Sequence, residues 1–169
     1  MNNNNRNIIF GAFILLLQLA VFNNIHVGGF INPYIYPLIL LLLPFDIAGW
    51  LLLVSAFFLG LIVDLFTGTL GLHIFASVFV AGIRPFFIKF LSSGKIDPGT
   101  TINFKQHGIV WLSVFISVIF FIHHSVYFTL ESLNLSGFGY TILRIFASSF
   151  ISVFLSLLLL FLFKDPNKK

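Results

Sequence analysis

Only a few side chains in this chain could do chemistry, and nearly all of them lie within long apolar runs. Asp64 is the one acidic residue well inside such a run, so no pair of carboxylates is available for acid–base catalysis. His123 and His124 are adjacent, which on a helix places their side chains about 100° apart, so they cannot easily grip one metal ion together. The sequence contains no His-Glu-x-x-His and no Gly-x-Ser-x-Gly motif. We therefore expect a protein that is not an enzyme and has no cofactor or metal.

The composition indicates which solvent surrounds these side chains. Of the 169 residues, 59% are hydrophobic and 8% are charged, whereas a soluble domain carries about 25% charged residues. So few charges cannot cover a water-facing surface, and most of the surface must face lipid. The net charge of +4 is scattered among apolar runs, which does not favour nucleic-acid binding. The lack of cysteine excludes disulfides and cysteine-based metal sites.

Five apolar stretches are long enough to span a bilayer, at approximately residues 8–22, 48–65, 70–91, 108–130 and 140–163. No small-residue cleavage site follows the first stretch, so we expect it to be retained. A sixth stretch, residues 31–45, is interrupted by Pro33, Pro37 and Pro44. As a helix counted from Phe30 to Phe45 it would be only about 24 Å long, less than the ~30 Å hydrocarbon layer. It is either a short, proline-bounded crossing or a re-entrant segment.

The positions of the basic residues favour the crossing. If residues 31–45 cross, the loops at 23–32, 66–69 and 131–139 contain no Lys or Arg. Seven basic residues then fall on the other side: Arg6, Lys89, Lys95, Lys105, Lys164, Lys168 and Lys169. The positive-inside rule therefore predicts a single domain, residues 1–169, of six transmembrane helices with both termini in the cytoplasm.

Three ionisable side chains within the spans invite a functional interpretation, because charge is costly in a membrane. Asp64 and Arg144 are expected near the external ends of the third and sixth spans. Each reaches the headgroups alone, or the two form an ion pair between the helices, or they serve a ligand. Arg84, in the fourth span, is expected to extend to the cytoplasmic face rather than to form a buried site.

Small polar residues mark one face of the sixth span. Arg144, Ser148, Ser152 and Ser156 recur every four residues and so share a helical face. Such stripes usually serve close helix packing, and less often line a polar cavity. Such small-residue faces also suit the docking of a partner helix, as does Gly60, and because packing within the bundle uses some of them, the face that receives the partner stays open.

Two neighbouring segments resemble a known family. Asn32–Phe45 reads NPYIYPLILLLLPF, and Phe57–Ser77 reads FFLGLIVDLFTGTLGLHIFAS. Gly-Leu-x-x-Asp-Leu, a glycine-containing turn and Leu-Gly-Leu-His together resemble the central motif of MreD, the rod shape-determining membrane protein family of bacteria. The positions that match this motif are Gly60, Asp64, Gly68, Gly71 and His73.

The resemblance implies a non-enzymatic scaffold of the elongasome in the bacterial cytoplasmic (inner) membrane. It implies binding to MreC and, through MreC, association with the peptidoglycan transpeptidase and glycosyltransferase pair and with the MreB filament. It also implies a fold like that of the substrate-binding (S) subunits of energy-coupling-factor transporters. The alternative is a vitamin-type capture subunit of a membrane transporter, although the external loops are short and carry one charge, Glu131.

Overall fold

The computed structural model of the chain is built of helices. It describes residues 3–25, 31–92, 99–102, 104–132 and 137–163. Six α-helices follow one another: α1 (Asn3–Ala20), α2 (Pro37–Leu42), α3 (Gly49–Thr67), α4 (Leu72–Leu91), α5 (Phe104–Ser132) and α6 (Phe138–Leu162). A short 3₁₀ turn at Phe22–Asn24 follows α1.

Five of these helices are long and apolar enough to cross a membrane. The qualifying stretches are Arg6–Asn24, Gly49–Thr67, Leu72–Leu91, His107–Ser132 and Phe138–Leu162. On α6, the side chains of Phe146, Phe150 and Phe154 are 60–76% exposed, which suits a surface bathed in lipid rather than water. The prediction of an all-helical, multi-span membrane protein is confirmed at this level.

The proline-rich segment differs from the predicted second helix. Only Pro37–Leu42 is helical, with Pro37 in its first turn, where its missing N–H costs nothing. Pro33 disfavours helix before it, and Pro44 forces Leu43 into an extended conformation with ψ 150°. Ile31–Ile35 is not helical, so the segment combines a stretch of non-helical chain with a single short helix.

The proline-rich segment, residues 31–45, runs from one end of α4 to the other. At its beginning, Asn32 and Tyr34 line the same cavity as Thr69, which lies in the α3–α4 turn. At its end, the backbone N–H of Phe45 donates to the carbonyl of Thr100 at 2.8 Å, in the connection between α4 and α5. The chain therefore passes along the full length of the 20-residue helix α4.

The short helix α2 lies at the centre of the bundle. α3 packs against α4, α4 against α5, and α5 against α6, while α1 packs against α2. Leu38 and Leu41 join one buried apolar cluster, together with Ile88 and Phe115. Leu40 joins a second cluster, so α2 links the two halves of the core.

Several residues that support the predicted orientation lie outside the described residues. They are Lys95, Lys164, Lys168, Lys169 and the side chain of Lys105. The cytoplasmic location of both termini therefore stays a prediction.

Candidate functional site

The residues of the Gly-Leu-x-x-Asp-Leu motif build the contact between α3 and α4. Gly60 lies so close to α4 that a Cβ atom there would be 2.6 Å from the Cα of Ile74 and 2.7 Å from the carbonyl oxygen of His73. No side chain fits in such a gap. Gly60 is thus used inside the bundle, which is the structural one of the two roles, structural or partner-binding, that the sequence left open for it.

Asp64 caps the N-terminus of α4. Its carboxylate accepts hydrogen bonds from the backbone N–H of His73 (3.1 Å), from that of Ile74 (2.9 Å) and from the hydroxyl of Thr69 (2.5 Å). The first N–H groups of a helix have no partner within the helix, and the positive end of its dipole favours an anion. The sharp turn before α4 uses Gly68 (φ 70°) and Gly71 (φ 84°), both in the left-handed region.

Asp64 and Arg144 do not form the hypothesised ion pair, and each has partners of its own within the protein. All three hydrogen bonds of the Asp64 carboxylate go to the α3–α4 hairpin. Arg144 forms an ion pair with Glu131, near the end of α5, and its guanidinium lies 4.4 Å from the ring centroid of Phe128. A nearer partner for each charge explains why the two do not meet.

Arg84 is fully buried, so the prediction that it extends to the membrane face is wrong. Its guanidinium donates to the carbonyl oxygens of Leu43 (2.5 Å) and Pro44 (3.3 Å). These carbonyls follow the last turn of α2, where no residue of the helix can satisfy them. Arg84 therefore caps the C-terminus of α2 from a different helix.

The non-helical segment Ile31–Tyr36 is held by side chains of α1 and α6. Gln18 of α1 accepts from the backbone N–H of Ile35 (2.7 Å) and Tyr36 (3.2 Å) and donates to the carbonyl of Pro33 (3.3 Å). Irregular backbone at membrane depth is tolerated only where protein satisfies its polar groups. Gln18 supplies three of the required bonds.

Ser148 and Ser152 of α6 supply two further hydrogen bonds to the segment Ile31–Tyr36. The hydroxyl of Ser148 accepts from the N–H of Asn32 (3.1 Å), and that of Ser152 accepts from the N–H of Tyr34 (3.0 Å). Asn32 and Tyr34 are two residues apart in extended chain, a distance of ~6.6 Å, and Ser148 and Ser152 are four residues apart in a helix, a distance of ~6 Å. Because these distances match, each N–H can meet one serine. Ser148, Ser152 and Ser156 are fully buried, so this face packs within the protein.

A cluster of aromatic and imidazole rings surrounds the segment. The hydroxyl of Tyr36 lies 2.6 Å from Nε2 of His123 and 3.1 Å from both Nδ1 of His73 and the hydroxyl of Ser77. A phenol donates only one proton, so two of these three groups must donate to it. The sequence places polar residues in apolar runs at these positions, and that signal alone could have pointed to them.

His124 extends the network towards α6. Its Nδ1 donates to the carbonyl of Phe120 (2.8 Å), which leaves Nε2 to accept from the hydroxyl of Ser152 (3.2 Å). The ring of Tyr34 stacks on that of His124, with the centroids 5.7 Å apart. Within the described part of the chain, no three His, Cys, Asp or Glu side chains are arranged to hold a metal ion. The hydrogen bonds of these histidines instead hold the ring of Tyr36 and the hydroxyl of Ser152 in place.

A cavity of about 490 Å³ opens above this network, at the end of the bundle that contains the α3–α4 turn. Tyr34 and Tyr127, which are 5% and 2% exposed, form its floor. Its walls carry amide groups from Asn23, Asn24 and Asn32. We call this cavity the outer pocket. It was not expected from the short external loops.

Compared with known proteins, the chain matches no family model, no curated protein and no solved structure.

Proposed function

We propose that this protein is a non-enzymatic membrane scaffold of the bacterial elongasome, of the MreD type, which binds MreC and supports lateral peptidoglycan synthesis and rod shape. The observation that carries the proposal is the hairpin of α3 and α4. Four of the five motif residues make it: Gly60 brings the backbones together, Asp64 caps α4, and Gly68 and Gly71 form the turn. The residues behind the resemblance thus fix a specific fold feature.

The use of polar groups in the interior supports a structural role. Arg84 caps α2, Asp64 caps α4, and Gln18 and the α6 serines hold the segment Ile31–Tyr36. Each of these side chains stabilises backbone that would otherwise lack a hydrogen-bond partner. A rigid platform suits a protein whose task is to hold others.

The scaffold proposal includes a sixth crossing at residues 31–45 and cytoplasmic termini. Non-helical chain followed by the six-residue α2 covers roughly 30–40 Å, which is enough for the ~30 Å hydrocarbon layer. A fully helical segment of this length would be too short. Labelling of a cysteine at Ser93 by an impermeant reagent in intact cells would contradict the proposed orientation.

The partner helix needs a surface that is free, and both Gly60 and the face of Ser148, Ser152 and Ser156 are used inside the bundle. Two grooves among the described residues are candidates, and in this proposal both face the lipid. One lies between α5 and α6 and has a volume of about 590 Å³, with Phe121 and Phe150 in its walls. The other, of about 450 Å³, lies between α1, α2 and α3 and includes Ile8 and Leu59. A single-span partner is proposed to bind in one of them.

Cysteine crosslinking tests this proposal, because the protein has no native cysteine. Single cysteines at Phe121 and Phe150, and at Ile8 and Leu59, are combined with cysteines along the MreC transmembrane helix. We expect crosslinks in one groove only. Phe86, which is 67% exposed on α4 and lines neither groove, provides the control position. Absence of crosslinks from both grooves, with no MreC co-purified in detergent, would contradict the scaffold proposal.

The outer pocket favours a second candidate, a vitamin-type capture subunit of a transporter. Such a subunit needs a polar cavity near aromatic residues at the external face, and the outer pocket would lie there in the proposed orientation. The test is the content of the purified protein. A tightly bound vitamin and no MreC would favour the capture subunit over the scaffold.

A further inference from the structure

We propose that the groove between α1, α2 and α3 binds a phospholipid, with one acyl chain along the groove and an anionic headgroup at its polar end. The groove has a volume of about 450 Å³. The side chains that open into it are mostly apolar and are exposed or half-buried, among them Ile8, Ala12, Leu15, Ile39 and Leu43. This inference does not depend on the scaffold proposal, since it needs only a chain that spans a membrane.

The groove is about as deep as one leaflet of the bilayer. Along α1 its described lining residues extend from Asn7 to Leu15, which is ~12 Å of helix. Half of the ~30 Å hydrocarbon layer is ~15 Å. Beyond Leu15, Gln18 joins α1 to the segment Ile31–Tyr36 by hydrogen bonds. A transmembrane helix of a partner would need a surface along both leaflets, whereas an acyl chain needs a surface along one.

The groove is polar at the end that would lie at the membrane surface. Asn7, near the start of α1, and Thr101, in the connection between α4 and α5, line it there. Both side chains are half-buried, so they are accessible from the groove. The amide nitrogen of Asn7 lies 3.5 Å from the carbonyl oxygen of Leu42, a long hydrogen bond that a phosphate oxygen could replace with a shorter one. A phospholipid has the same polarity, with a polar headgroup above an apolar chain.

Positive charge lies behind this polar end and favours an anionic headgroup. The guanidinium of Arg84 donates to the carbonyl oxygens of Leu43 and Pro44, and both of these residues line the groove. Among the described residues, Arg84 forms no ion pair with a carboxylate. Arg6 lies at the same end of α1. Asp46 does not line the groove, and its carboxylate accepts from a backbone N–H of the α4–α5 connection (3.0 Å). The local field is therefore positive where the phosphate would lie.

Three lipids with the same acyl chains but different headgroups test this inference. Phosphatidylglycerol is anionic, phosphatidylcholine is zwitterionic and diacylglycerol has no phosphate. The purified, full-length protein is stripped of lipid in detergent and heated with each of them, since a ligand that binds the folded state raises the unfolding temperature. We expect phosphatidylglycerol to raise it most and diacylglycerol least. Equal rises with all three lipids, or no rise with phosphatidylglycerol, would overturn the proposal.

Two variants connect the effect to the groove. Ala12→Leu places a larger side chain at an exposed lining position, where it should displace roughly two methylene groups of the chain and weaken the apparent affinity for phosphatidylglycerol about tenfold. Thr101→Val keeps the shape but removes the hydroxyl, so it should reduce the preference for phosphatidylglycerol over diacylglycerol.

Gly82→Leu is the control for these variants. Gly82 is exposed on α4, nothing lies within 4 Å of its Cβ position, and it does not line the groove. Its lipid affinity should equal that of the wild type. Unchanged affinity in Ala12→Leu would overturn the proposal. If Ala12→Leu fails to fold, Thr101→Val decides alone, and an unchanged headgroup preference overturns it.

The helix of a partner is the competing occupant of this groove. Crosslinks from cysteines at Ile8 and Leu59 to the MreC helix would overturn the lipid proposal and support the scaffold. We expect such crosslinks only at Phe121 and Phe150, in the groove between α5 and α6. Absence of MreC from both grooves would count against the scaffold but not against the lipid, because lipid binding is measured on the purified protein alone.

Discussion

The carboxylate of Asp64, near the end of α3, accepts a hydrogen bond of 3.1 Å from the backbone N–H of His73 in the first turn of α4. Together with the bond from Ile74, it joins the two helices through the end of one of them. The hairpin thus depends on a side chain that sequence alone places near the headgroups. Because Asp64 is engaged in this hairpin, the ion pair of Arg144 is formed with Glu131 instead.

Replacing Asp64 should destabilise the protein independently of Arg144. Asp64→Ala removes a helix cap, and we expect a loss of about 1–2 kcal/mol in the free energy of unfolding. Arg144→Gln removes the ion pair with Glu131 instead. Because the described partners of Asp64 and Arg144 differ, the losses should add in the double variant, as measured by unfolding in mild detergent. Partial recovery in the double variant would show that the two charges interact.

Adding a methyl group at Gly60 should force α3 and α4 apart. The new Cβ would meet backbone atoms of His73 and Ile74, which cannot move aside without shifting α4. We expect Gly60→Ala to lower the unfolding temperature strongly, with a cost of about 1–3 kcal/mol for overpacking. Gly82→Ala in α4 is the matched control, because nothing lies within 4 Å of its Cβ position. Equal stability of the two variants would contradict the close helix contact.

Arg84 should be far less replaceable than its neighbour Lys89. Arg84→Met leaves the carbonyls of Leu43 and Pro44 buried without a donor, at a cost of about 1–3 kcal/mol each. Arg84→Lys should recover part of the loss, since lysine offers a point charge but not the fork of a guanidinium. Lys89→Met, at an exposed position of the same helix, should have little effect on thermal stability. Similar losses at both positions would favour the extended, solvent-reaching Arg84 that the sequence predicted.

Ser148, Ser152 and Ser156 of α6 should differ in their effect on stability although they are evenly spaced. Ser148→Ala and Ser152→Ala each remove the acceptor for a backbone N–H of the segment Ile31–Tyr36, so each should cost about 1–3 kcal/mol. Ser156 is equally buried, but its hydroxyl has no partner. Ser156→Ala should therefore leave stability unchanged or raise it. Stability can be followed by thermal unfolding in detergent. Equal effects at all three sites would contradict the hydrogen bonds of Ser148 and Ser152 to the segment Ile31–Tyr36.

The sequence predicted the long helices well but not the hydrogen-bond partners of the polar side chains, for one physical reason. Apolar runs of about 20 residues identify spans because lipid accepts little else. Neither Asp64 nor Arg84 could be assigned a partner, because the unsatisfied groups they cap belong to helix ends whose positions depend on the fold. The stripe of α6 was predicted to pack against helices, since its spacing does not reveal that an extended segment lies beside it.

The proline-rich segment, residues 31–45, is a second case in which the fold determines the partner of a polar side chain. Residues 31–45 were predicted as the second of six helices, but only Pro37–Leu42 is helical, because Pro33 and Pro44 disfavour helix on either side. The sequence did not indicate Gln18 as the residue that satisfies this segment, because a single glutamine in an apolar helix has many potential partners. Polar residues within spans identify where partners are needed, and the fold determines which groups they meet.

The claim that this protein is a scaffold for rod growth is tested most directly by the shape of cells that lack it. Cells with a clean deletion are followed by microscopy, with plasmid-borne wild type as the complemented control. The scaffold proposal predicts that rods become spheres and that complementation restores rods. Normal rod growth in the deletion strain would contradict it.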